Sequence, residues 1–453
     1  MTVSPRHCCD DYTRSQLIRN AAAQAGQGLP SIETGMPDPA GTGLTRRHFL
    51  ARASGLALAV YGASKLPVSI FDEGIASAAQ SDRVIVSIFL DGGADALSIL
   101  APTGHPKYFQ LRPNLALSPE TGTAFSEDPS LRWHPAAAGL SQLHSEGKVT
   151  VLPAVGYDSP NQSHFTSRHF WEVGELDTNG TTGWMGRYLD LVGSDTNPLQ
   201  GLSLSGTLSP ALATANKPVA AVDGVTDYDL WSWVDEPISD ELFRSFKRMG
   251  GFRSDSPAME HSRRAISSTN RVRESLAGFG EFEAPVAYPD GNLGRQLSGL
   301  AALLGAGMPL HCVSVNADGA YDTHSDQQTE LETGLRLTCD AVLAFQRDLE
   351  SRGLQDRVLV EMWSEFGRRP EENGSAGTDH GAAGTAFIIG SRASGRMVGE
   401  FPGLTSLDED DNLRHTSDFR SMYCSLLEQW LGQDAGPIIP GASKLVRPKL
   451  VRA

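Results

Sequence analysis

The sequence predicts an α/β fold, a three-layer α/β/α sandwich built around a mostly parallel central sheet. Short apolar runs alternate along the chain with segments of helical periodicity, a pattern typical of strands and helices that follow one another in turn. Several of these runs stop abruptly at acidic residues, glycines or histidines, as expected where the strands of an open sheet reach the loops at its carboxyl edge. The runs that we predict as strands are 83–90, 149–155, 309–315, 358–363 and 386–389.

Helical patterns fill much of the chain between these strands. Residues 327–351 form the longest such segment, with apolar residues at the spacing of one helix face. Residues 174–290 lack clear strand signals, and we interpret them as loops and helices, with a lid or insertion beside the sheet as a hypothesis. The other predicted helices are 134–147, a helix through Trp171, 292–304 and 419–431.

Composition restricts the class of protein. The 453 residues suffice for one large α/β domain or two smaller ones, and we predict one domain over 79–453. Apolar residues make up 40% of the chain and charged residues 20%, which fits a globular core better than disorder. The formal net charge of −16 argues against nucleic-acid binding, which usually needs a basic surface.

Residues 1–78 are predicted to be a disordered N-terminus followed by an export signal peptide. The sequence Thr-Arg-Arg-His-Phe-Leu at 45–50 precedes a weakly apolar run, 51–63, and small residues at 76–78 offer a cleavage site. This pattern resembles a twin-arginine signal, which predicts the twin-arginine translocation machinery as a partner and a periplasmic or extracellular location. The run is too short and too rich in small residues for a stable membrane span. The alternative is a basic helix start followed by an ordinary amphipathic helix.

Residues 358–384 contain the densest set of candidate site residues. The predicted strand gives way to Glu365, with Arg368 close behind. A glycine-rich loop is then expected to deliver Asp379 and His380 side by side. Because neighbouring residues on a strand face opposite sides, this pair can turn toward one cation only from a loop. We therefore predict a site at this strand end, on loops held by the rigid sheet.

Acidic residues and histidines also stand at three other junctions between elements. Asp91 follows the first strand in an Asp-Gly-Gly sequence, which an ordinary turn also explains. Asp322 and His324 stand two apart, so in an extended segment both point to the same side. His415 precedes the last predicted helix. Each junction alone is more simply structural, and their shared position at one edge of the sheet is what predicts a site.

The candidate metal ligands are a mixture of carboxylates and imidazoles. Carboxylates clustered without a cation repel one another, and burying them is costly, a cost that a divalent metal removes. Mixed Asp and His ligands suit zinc or manganese, whereas an oxygen-rich set suits calcium or magnesium. We predict a divalent metal, with zinc as the first choice. The predicted ligands are Asp91, Asp322, His324, Asp379, His380 and His415.

Three residues are the candidates for catalysis. Ser163 precedes a predicted helix, where it is either an N-cap or a nucleophile whose developing charge the helix N-terminus stabilises. Glu365 is a candidate metal ligand or general base. Arg368, with Arg168 as the alternative, is a candidate for binding an anionic substrate group in bidentate fashion.

Five short motifs together carry a family resemblance. They are D-G-G-x-D-x-L after the first strand, N-Q-S-H-F, D-T-H, S-E-F-G-R and G-T-D-H-G. In this combination the chain, from about Arg83 to Leu431, resembles an exported bacterial family catalogued as domain of unknown function 1501. That family is similar in turn to the alkaline phosphatase–sulfatase superfamily, in which a large sheet flanked by helices holds divalent metals at its strand ends.

The resemblance implies a role for each candidate. Asp91 matches the ligand after the first strand, and His415 matches a late histidine ligand. Ser163 matches the nucleophile at a helix N-terminus. The remaining matches are an Asp/His pair at Asp322 and His324 and the adjoining ligands Asp379 and His380.

The leading hypothesis is an exported metal-dependent hydrolase that acts on phosphate or sulfate esters of a small molecule or polymer. The alternative is a secreted binding or structural protein that uses the metal for stability and has no catalytic activity. A third hypothesis is an exported scaffold that binds no metal.

Overall fold

A nine-stranded sheet forms the centre of the fold. The computed structural model describes residues 58–61, 83–195, 197–225, 238–252 and 283–452, with single residues between 263 and 276. Most of the predicted export signal, including its two arginines, lies outside these residues. The strands are β1 Leu58–Tyr61, β2 Val84–Phe89, β3 Leu100–Ala101, β4 Thr123–Ala124, β5 Arg132–Trp133, β6 Val149–Gly156, β7 Gly201–Leu204, β8 Val219–Val222, β9 Cys312–Asn316, β10 Val358–Trp363, β11 Arg368–Glu372, β12 Thr378–His380, β13 Gly384–Ile389 and β14 Ser417–Asp418.

The large sheet is mostly parallel, as predicted. Its strand order is β1-β8-β7-β9-β2-β10-β13-β6-β14. Strands β8, β7, β9, β2 and β10 all run in the same direction. Strand β13 is antiparallel to both of its neighbours, and β1 is antiparallel to β8 at the far edge. Two small antiparallel sheets, β3-β5-β4 and β11-β12, lie outside the large one.

Helices of very different length connect these strands. Of the helices in the described ranges, none combines the length and apolar character that crossing a membrane requires. The α-helices are α1 Ala96–Ile99, α2 Pro106–Leu111, α3 Ala138–Ser145, α4 His164–Val173, α5 Trp184–Val192, α6 Ile238–Met249, α7 Asn292–Gly305, α8 Gln327–Ser351 and α9 Phe419–Ser425, with a π-helical turn at Leu426–Trp430 and 3-10 turns at Pro135–Ala137, Pro198–Gln200, Pro210–Leu212 and Ala442–Lys444.

Alternate residues of β2 enter two separate hydrophobic cores. Val84, Val86 and Ile88 pack in one core with side chains of α3, α7 and α8. Ile85 and Phe89 pack in the other core with side chains of α4, α5 and α9. Burying a large aliphatic side chain contributes about 1.5–3 kcal/mol, so both faces of the sheet are held by their helices. The predicted three-layer α/β/α arrangement is confirmed.

Agreement between the predicted and observed elements is uneven along the chain. The strand 358–363 and the helix 327–351 have the predicted bounds. The interpretation of 174–290 as loops and helices is wrong for β7 and β8, which lie inside the large sheet. Their sequences, Gly-Leu-Ser-Leu and Val-Ala-Ala-Val, are short and carry small residues that weaken the strand signal. A lid formed by the rest of this segment stays a prediction.

The carboxyl ends of three parallel strands meet at one edge of the sheet. Phe89, at the end of β2, is paired with Asn316 of β9 on one side and Trp363 of β10 on the other. Just beyond, Gly92 has a φ of +121°, and a Cβ at this position would lie 2.4 Å from the backbone nitrogen of Asp322. Glycine therefore permits the loops after β2 and β9 to pack directly against each other.

Candidate metal site

Asp322 lies at the centre of a side-chain cluster at this edge of the sheet. Its Oδ1 lies 2.5 Å from Arg368 Nη2, 3.2 Å from His324 Nε2 and 3.4 Å from His380 Nε2. Its Oδ2 lies 3.5 Å from His164 Nε2. Burial raises the pKa of Asp322, but hydrogen bonds from His164 and His324 and the charge of Arg368 hold that pKa far below its usual range. The central carboxylate is therefore ionised.

His164 is the first residue of α4 and is fully buried. Its Nδ1 donates a hydrogen bond of 2.7 Å to Glu365 Oε1, while its Nε2 faces Asp322. Burial lowers the pKa of His164, but hydrogen bonds with Asp322 and Glu365 raise it to about 9. Without a bound cation, the ring is therefore an imidazolium between two carboxylates.

Glu365 lies behind His164 and is also fully buried. Its carboxylate accepts hydrogen bonds from the backbone of Gly92 at 3.2 Å and Gly93 at 3.1 Å, and from the Ser364 hydroxyl at 3.0 Å. Burial raises its pKa, but the bond with His164 and these donors lower it below the usual value. We predicted a metal ligand or general base here. The structure places Glu365 where it orients a histidine, as carboxylates behind metal-bound histidines do.

Arg368 is buried and holds the strand ends together. Its Nε donates to the backbone oxygen of Gly93 at 2.7 Å, its Nη1 to Thr378 at 2.7 Å and its Nη2 to Gly92 at 2.5 Å. Nη2 also donates to Asp322. Since each guanidinium nitrogen already has a protein acceptor, this geometry fits the fixing of Asp322 better than the binding of a substrate anion.

His380 presents a second imidazole nitrogen to Asp322. Its Nδ1 donates to the backbone oxygen of Gln162 at 2.9 Å, which places the proton on Nδ1 because a carbonyl oxygen can only accept. Burial lowers the pKa of His380 to about 4, so at neutral pH Nε2 carries a lone pair. That lone pair lies 3.4 Å from the ionised carboxylate. Two acceptors that face each other repel, and a cation between them removes the repulsion.

His164, Asp322 and His380 form the group with metal-ligand spacing in the described part of the chain, with one ligand atom from each lying within 4.8 Å of the others. Bonds to zinc measure about 2.0–2.2 Å, so ligand atoms on one ion lie within about 4 Å of each other. The three ligand atoms must therefore move closer together by up to about 1 Å to bind one ion. Two histidines and one carboxylate fit zinc, whose catalytic sites use three protein ligands and leave a fourth position open.

Asp379 and His324 form the rim of this cluster. His324 Nδ1 lies 3.1 Å from Asp379 Oδ1, which also accepts a hydrogen bond of 3.1 Å from Asn373. The expectation that a loop delivers Asp379 and His380 is wrong, because both lie on β12, which pairs with β11 so that Arg368 is opposite His380. Neighbours on a strand face opposite sides. His380 therefore joins the three-residue group while Asp379 contacts His324.

Two further predicted ligands lie outside the three-residue group. Asp91 Oδ2 is 3.7 Å from Arg168 Nη1. His415 Nε2 is 3.7 Å from Asp158 Oδ1. The structure thus brings Asp322, His324, Asp379 and His380 into one network and gives Asp91 and His415 different contacts.

Ser163 stands at the N-terminus of α4, as predicted. It is the N-cap residue, but its side chain makes no capping hydrogen bond to the helix. Its two neighbours in the chain, Gln162 and His164, both contact the cluster. On the same helix, Arg168 is 22% exposed, donates to Glu172 at 2.8 Å and lies over the ring of Phe89 at 4.3 Å.

His164 is the ligand candidate that sequence reasoning missed. It follows Ser163 directly in the N-Q-S-H-F motif, and the serine, not the histidine, was predicted as the functional residue of that motif. The signal was present in that motif, since a histidine at the start of a helix has both ring nitrogens available for partners outside the helix.

The described structure is similar to several solved structures at low identity. One is Ps i-CgsB in complex with k-i-k-neocarrahexaose, with 9% identity, 80% of this chain and 75% of that chain covered, and a TM-score of 0.35. A protein in the alkaline phosphatase superfamily from Vibrio parahaemolyticus has 9% identity, coverage of 84% and 80%, and a TM-score of 0.32. The PsFucS1 sulfatase from Pseudoalteromonas sp. has 11% identity, coverage of 80% and 72%, and a TM-score of 0.32.

The family comparison agrees with the motifs. No curated protein matches the chain. The segment that does match a family model contains β9, β10, the β11–β12 hairpin and most of the site, including Asp322, Glu365, Arg368 and His380. Residues 282–428 match the model of the family described as protein of unknown function (DUF1501), which confirms the resemblance predicted from the motifs over this part of the chain.

Proposed function

We propose that the chain is an exported, metal-dependent hydrolase of phosphate or sulfate esters. His164, Asp322 and His380 hold one divalent cation, and zinc is the first candidate because two of the three ligands are imidazoles. Glu365 and Gln162 orient the two histidines, and Arg368 orients Asp322. A bound divalent cation supplies Lewis-acid polarisation of the ester oxygen and lowers the pKa of a coordinated hydroxyl or water.

One observation carries the metal proposal. The lone pair on His380 Nε2 faces an ionised carboxylate at 3.4 Å, and the hydrogen bond to Gln162 keeps the ring proton on the opposite nitrogen. A buried contact between two acceptors costs free energy unless a positive charge lies between them. The third ligand, His164, has its Nδ1 engaged by Glu365, which turns its Nε2 toward Asp322 and the same cation.

Ser163 is the proposed nucleophile. Its hydroxyl oxygen attacks the phosphorus or sulfur, the alcohol leaves, and water then hydrolyses the serine ester to release the inorganic anion. Ser163 is the N-cap of the ten-residue helix α4, whose dipole favours the negative charge that develops there. Arg168, which is partly exposed on the same helix, is the proposed contact for the anionic group.

Metal content tests the site with a matched pair of neighbours. We expect His380→Ala to lose the metal, measured by elemental analysis of the purified protein, because it removes a member of the three-residue group. Asp379→Ala, its neighbour on β12, should keep most of the metal, because Asp379 contacts His324 at the rim. Equal metal content in His380→Ala and the wild type rejects the proposed ligands.

Turnover tests the reaction. Wild-type protein loaded with zinc or manganese is offered aryl phosphates and aryl sulfates, and we expect Ser163→Ala to abolish the turnover that the wild type has. Retained turnover in a metal-loaded Ser163→Ala variant rejects the serine as nucleophile. The control is Ser145→Ala, which changes an exposed serine at the end of α3, away from the carboxyl edge.

Export is proposed from the sequence at 45–50. Replacing Arg46 and Arg47 with lysine should leave the protein in the cytoplasmic fraction, measured by fractionation of cells that express the full chain. Lysine keeps the positive charges, so the change tests recognition of the arginine pair and not charge alone. Unchanged export of the double variant contradicts the proposed route.

A second candidate is a secreted binding protein in which the metal stabilises the fold. The observation that favours it is the burial of the residues that support the metal ligands. Glu365 and Arg368 are both buried and hydrogen-bonded to the backbone of the loop after β2. Tight metal binding together with no turnover across the ester panel, and a large loss of thermal stability on chelation, supports this candidate over the hydrolase.

A further inference from the structure

A chain of hydrogen bonds joins His380 to a turn formed by residues 408–412. His380 Nδ1 donates to the backbone oxygen of Gln162, and the side-chain Nε2 of Gln162 donates to Asn412 Oδ1 at 3.3 Å. Gln162 and Asn412 are 250 positions apart in the sequence. The bond between them therefore ties the segment that begins α4 to a distant turn.

Asn412 is a fixed acceptor for this bond. It is fully buried, and its backbone N–H donates to Asp408 Oδ1 at 2.7 Å while its side-chain nitrogen donates to Asp408 Oδ2 at 3.2 Å. Because the amide nitrogen is engaged by a carboxylate, the amide oxygen of Asn412 must point the other way, toward Gln162. The next residue, Leu413, accepts a hydrogen bond of 3.4 Å from the backbone of Ala383, which precedes β13.

Gln162 has a direct chemical effect on the metal group. Its carbonyl oxygen decides which nitrogen of His380 carries the proton, and only the tautomer protonated on Nδ1 leaves a lone pair on Nε2. If that carbonyl moved, the proton could shift to Nε2 and be donated to Asp322, and the ring would no longer be a ligand on that side. The side chain of Gln162 is tied to Asn412, at the position where its carbonyl meets His380.

We infer that Gln162 and Asn412 are positioning residues that hold His380 in its metal-binding tautomer. The inference rests on the proposed metal site, but neither residue is proposed as a ligand. Both act through hydrogen bonds on the far side of His380 from Asp322. Such supporting bonds typically change metal affinity by about 10–100-fold.

The test compares zinc affinity and ligand geometry in matched variants. Asn412→Ala and Gln162→Ala each remove the side-chain bond and keep the carbonyl of residue 162. The control, Glu409→Gln, changes an exposed residue of the same turn. Zinc affinity is measured by competition with a chromophoric chelator, and ligand geometry by the visible absorption of the cobalt(II)-substituted protein. We expect the first two variants to bind zinc about 10–100-fold more weakly with an altered cobalt spectrum, and the control to match the wild type.

A second measurement does not depend on metal binding. Nitrogen-15 NMR of histidine-labelled, zinc-free protein should find His380 protonated on Nδ1 in the wild type and a mixture of both tautomers in Gln162→Ala and Asn412→Ala. Wild-type affinity and an unchanged tautomer in both variants would overturn the inference. If the wild type fails to bind zinc, the proposed function falls while the tautomer comparison still decides the positioning roles. If Asn412→Ala does not fold, Gln162→Ala, at a less buried position, decides the question.

Discussion

Glu361 and Glu365 lie on the same short stretch of chain, both fully buried, and their surroundings hold them in opposite charge states. Glu365 receives hydrogen bonds from His164, the backbone of Gly92 and Gly93, and Ser364, and its pKa is lowered. Neither carboxyl oxygen of Glu361 has a hydrogen-bond partner among the described residues. Burial raises the pKa of Glu361 to about 8. The neighbouring hydroxyl of Ser87 lowers this pKa only in part.

The difference follows from position along the strand. Glu361 lies within β10, where it is in register with Ser87 of β2 and Ile388 of β13. The backbone N–H groups around it form the hydrogen bonds between these strands. Glu365 lies just past the end of β10, where the N–H groups of the loop after β2 have left the ladder and can turn toward a side chain. Buried charge is thus supported where the sheet ends, and the middle of the sheet favours a neutral carboxylic acid.

The largest expected effect is a loss of stability at high pH that depends on Glu361. The carboxyl of the unfolded chain ionises near its ordinary pKa of 4.5, and that of the folded protein near 8. Between these values the unfolded state has lost a proton that the folded state retains, so the free energy of unfolding falls as pH rises and levels off above about 8. The fall attributable to this group is about 4–5 kcal/mol, at 1.36 kcal/mol per pKa unit.

Glu361→Gln isolates that contribution, because glutamine has no proton to lose. Urea unfolding of the wild type and the variant at pH 5 and pH 8.5 gives the free energy of unfolding of each. We expect the wild type to lose about 4 kcal/mol more than the variant over this range, since a small part of the full effect is already lost at pH 5. Parallel profiles for the two proteins would mean that Glu361 finds a partner or water, and the contrast with Glu365 would disappear.

The second-largest expected effect is the loss of stability when the charge of Glu365 is removed. In Glu365→Gln the amide oxygen can still accept from His164, but the amide N–H groups then face the N–H groups of Gly92 and Gly93. The imidazolium of His164 also loses one of its two carboxylate partners. Breaking a buried pair in this way costs about 3–5 kcal/mol, which is measured by urea unfolding at pH 7. Equal stability of Glu365→Gln and Glu361→Gln at that pH would contradict the comparison.

The sheet and half of the site follow from local patterns. The apolar run and abrupt ending of β10 predict both the strand and the polar groups at its tip, and the same reasoning brings Asp322 and His380 to one edge. Strand β12 could not be predicted in this way, because Thr378–His380 is three residues long, follows glycines and exists through its pairing with β11. The direction in which Asp379 and His380 point depends on that pairing.

The supporting groups of the site could not be predicted from their own positions. His164 and Glu365 are 201 residues apart, and Gln162 and Asn412 are 250 apart. Each of these bonds depends on where α4 begins relative to the sheet edge, which is a property of helix packing and not of local sequence. Glu361 is the opposite case, since a glutamate inside an apolar strand is visible in the sequence while its missing partners are not.

The smallest effect expected is that of Ser364→Ala, which removes one of the partners of Glu365. The Ser364 hydroxyl lies 3.0 Å from Glu365 Oε2 and 2.7 Å from the backbone oxygen of Leu90, and it accepts a hydrogen bond of 2.9 Å from the backbone N–H of Ala94. The hydroxyl has a single proton, so it serves one of its two acceptors at a time. His164, Gly92 and Gly93 still hold the carboxylate in the variant.

We therefore expect Ser364→Ala to lower the free energy of unfolding by about 1–2 kcal/mol, mostly through the unpaired N–H of Ala94. The same urea measurement at pH 7 checks the value, and zinc affinity should change by less than that of Glu365→Gln. A loss as large as that of Glu365→Gln would make the hydroxyl the main partner of this carboxylate. In that case the charge state of Glu365 would depend on one side chain at the end of β10, and not on the backbone of the loop that packs against it.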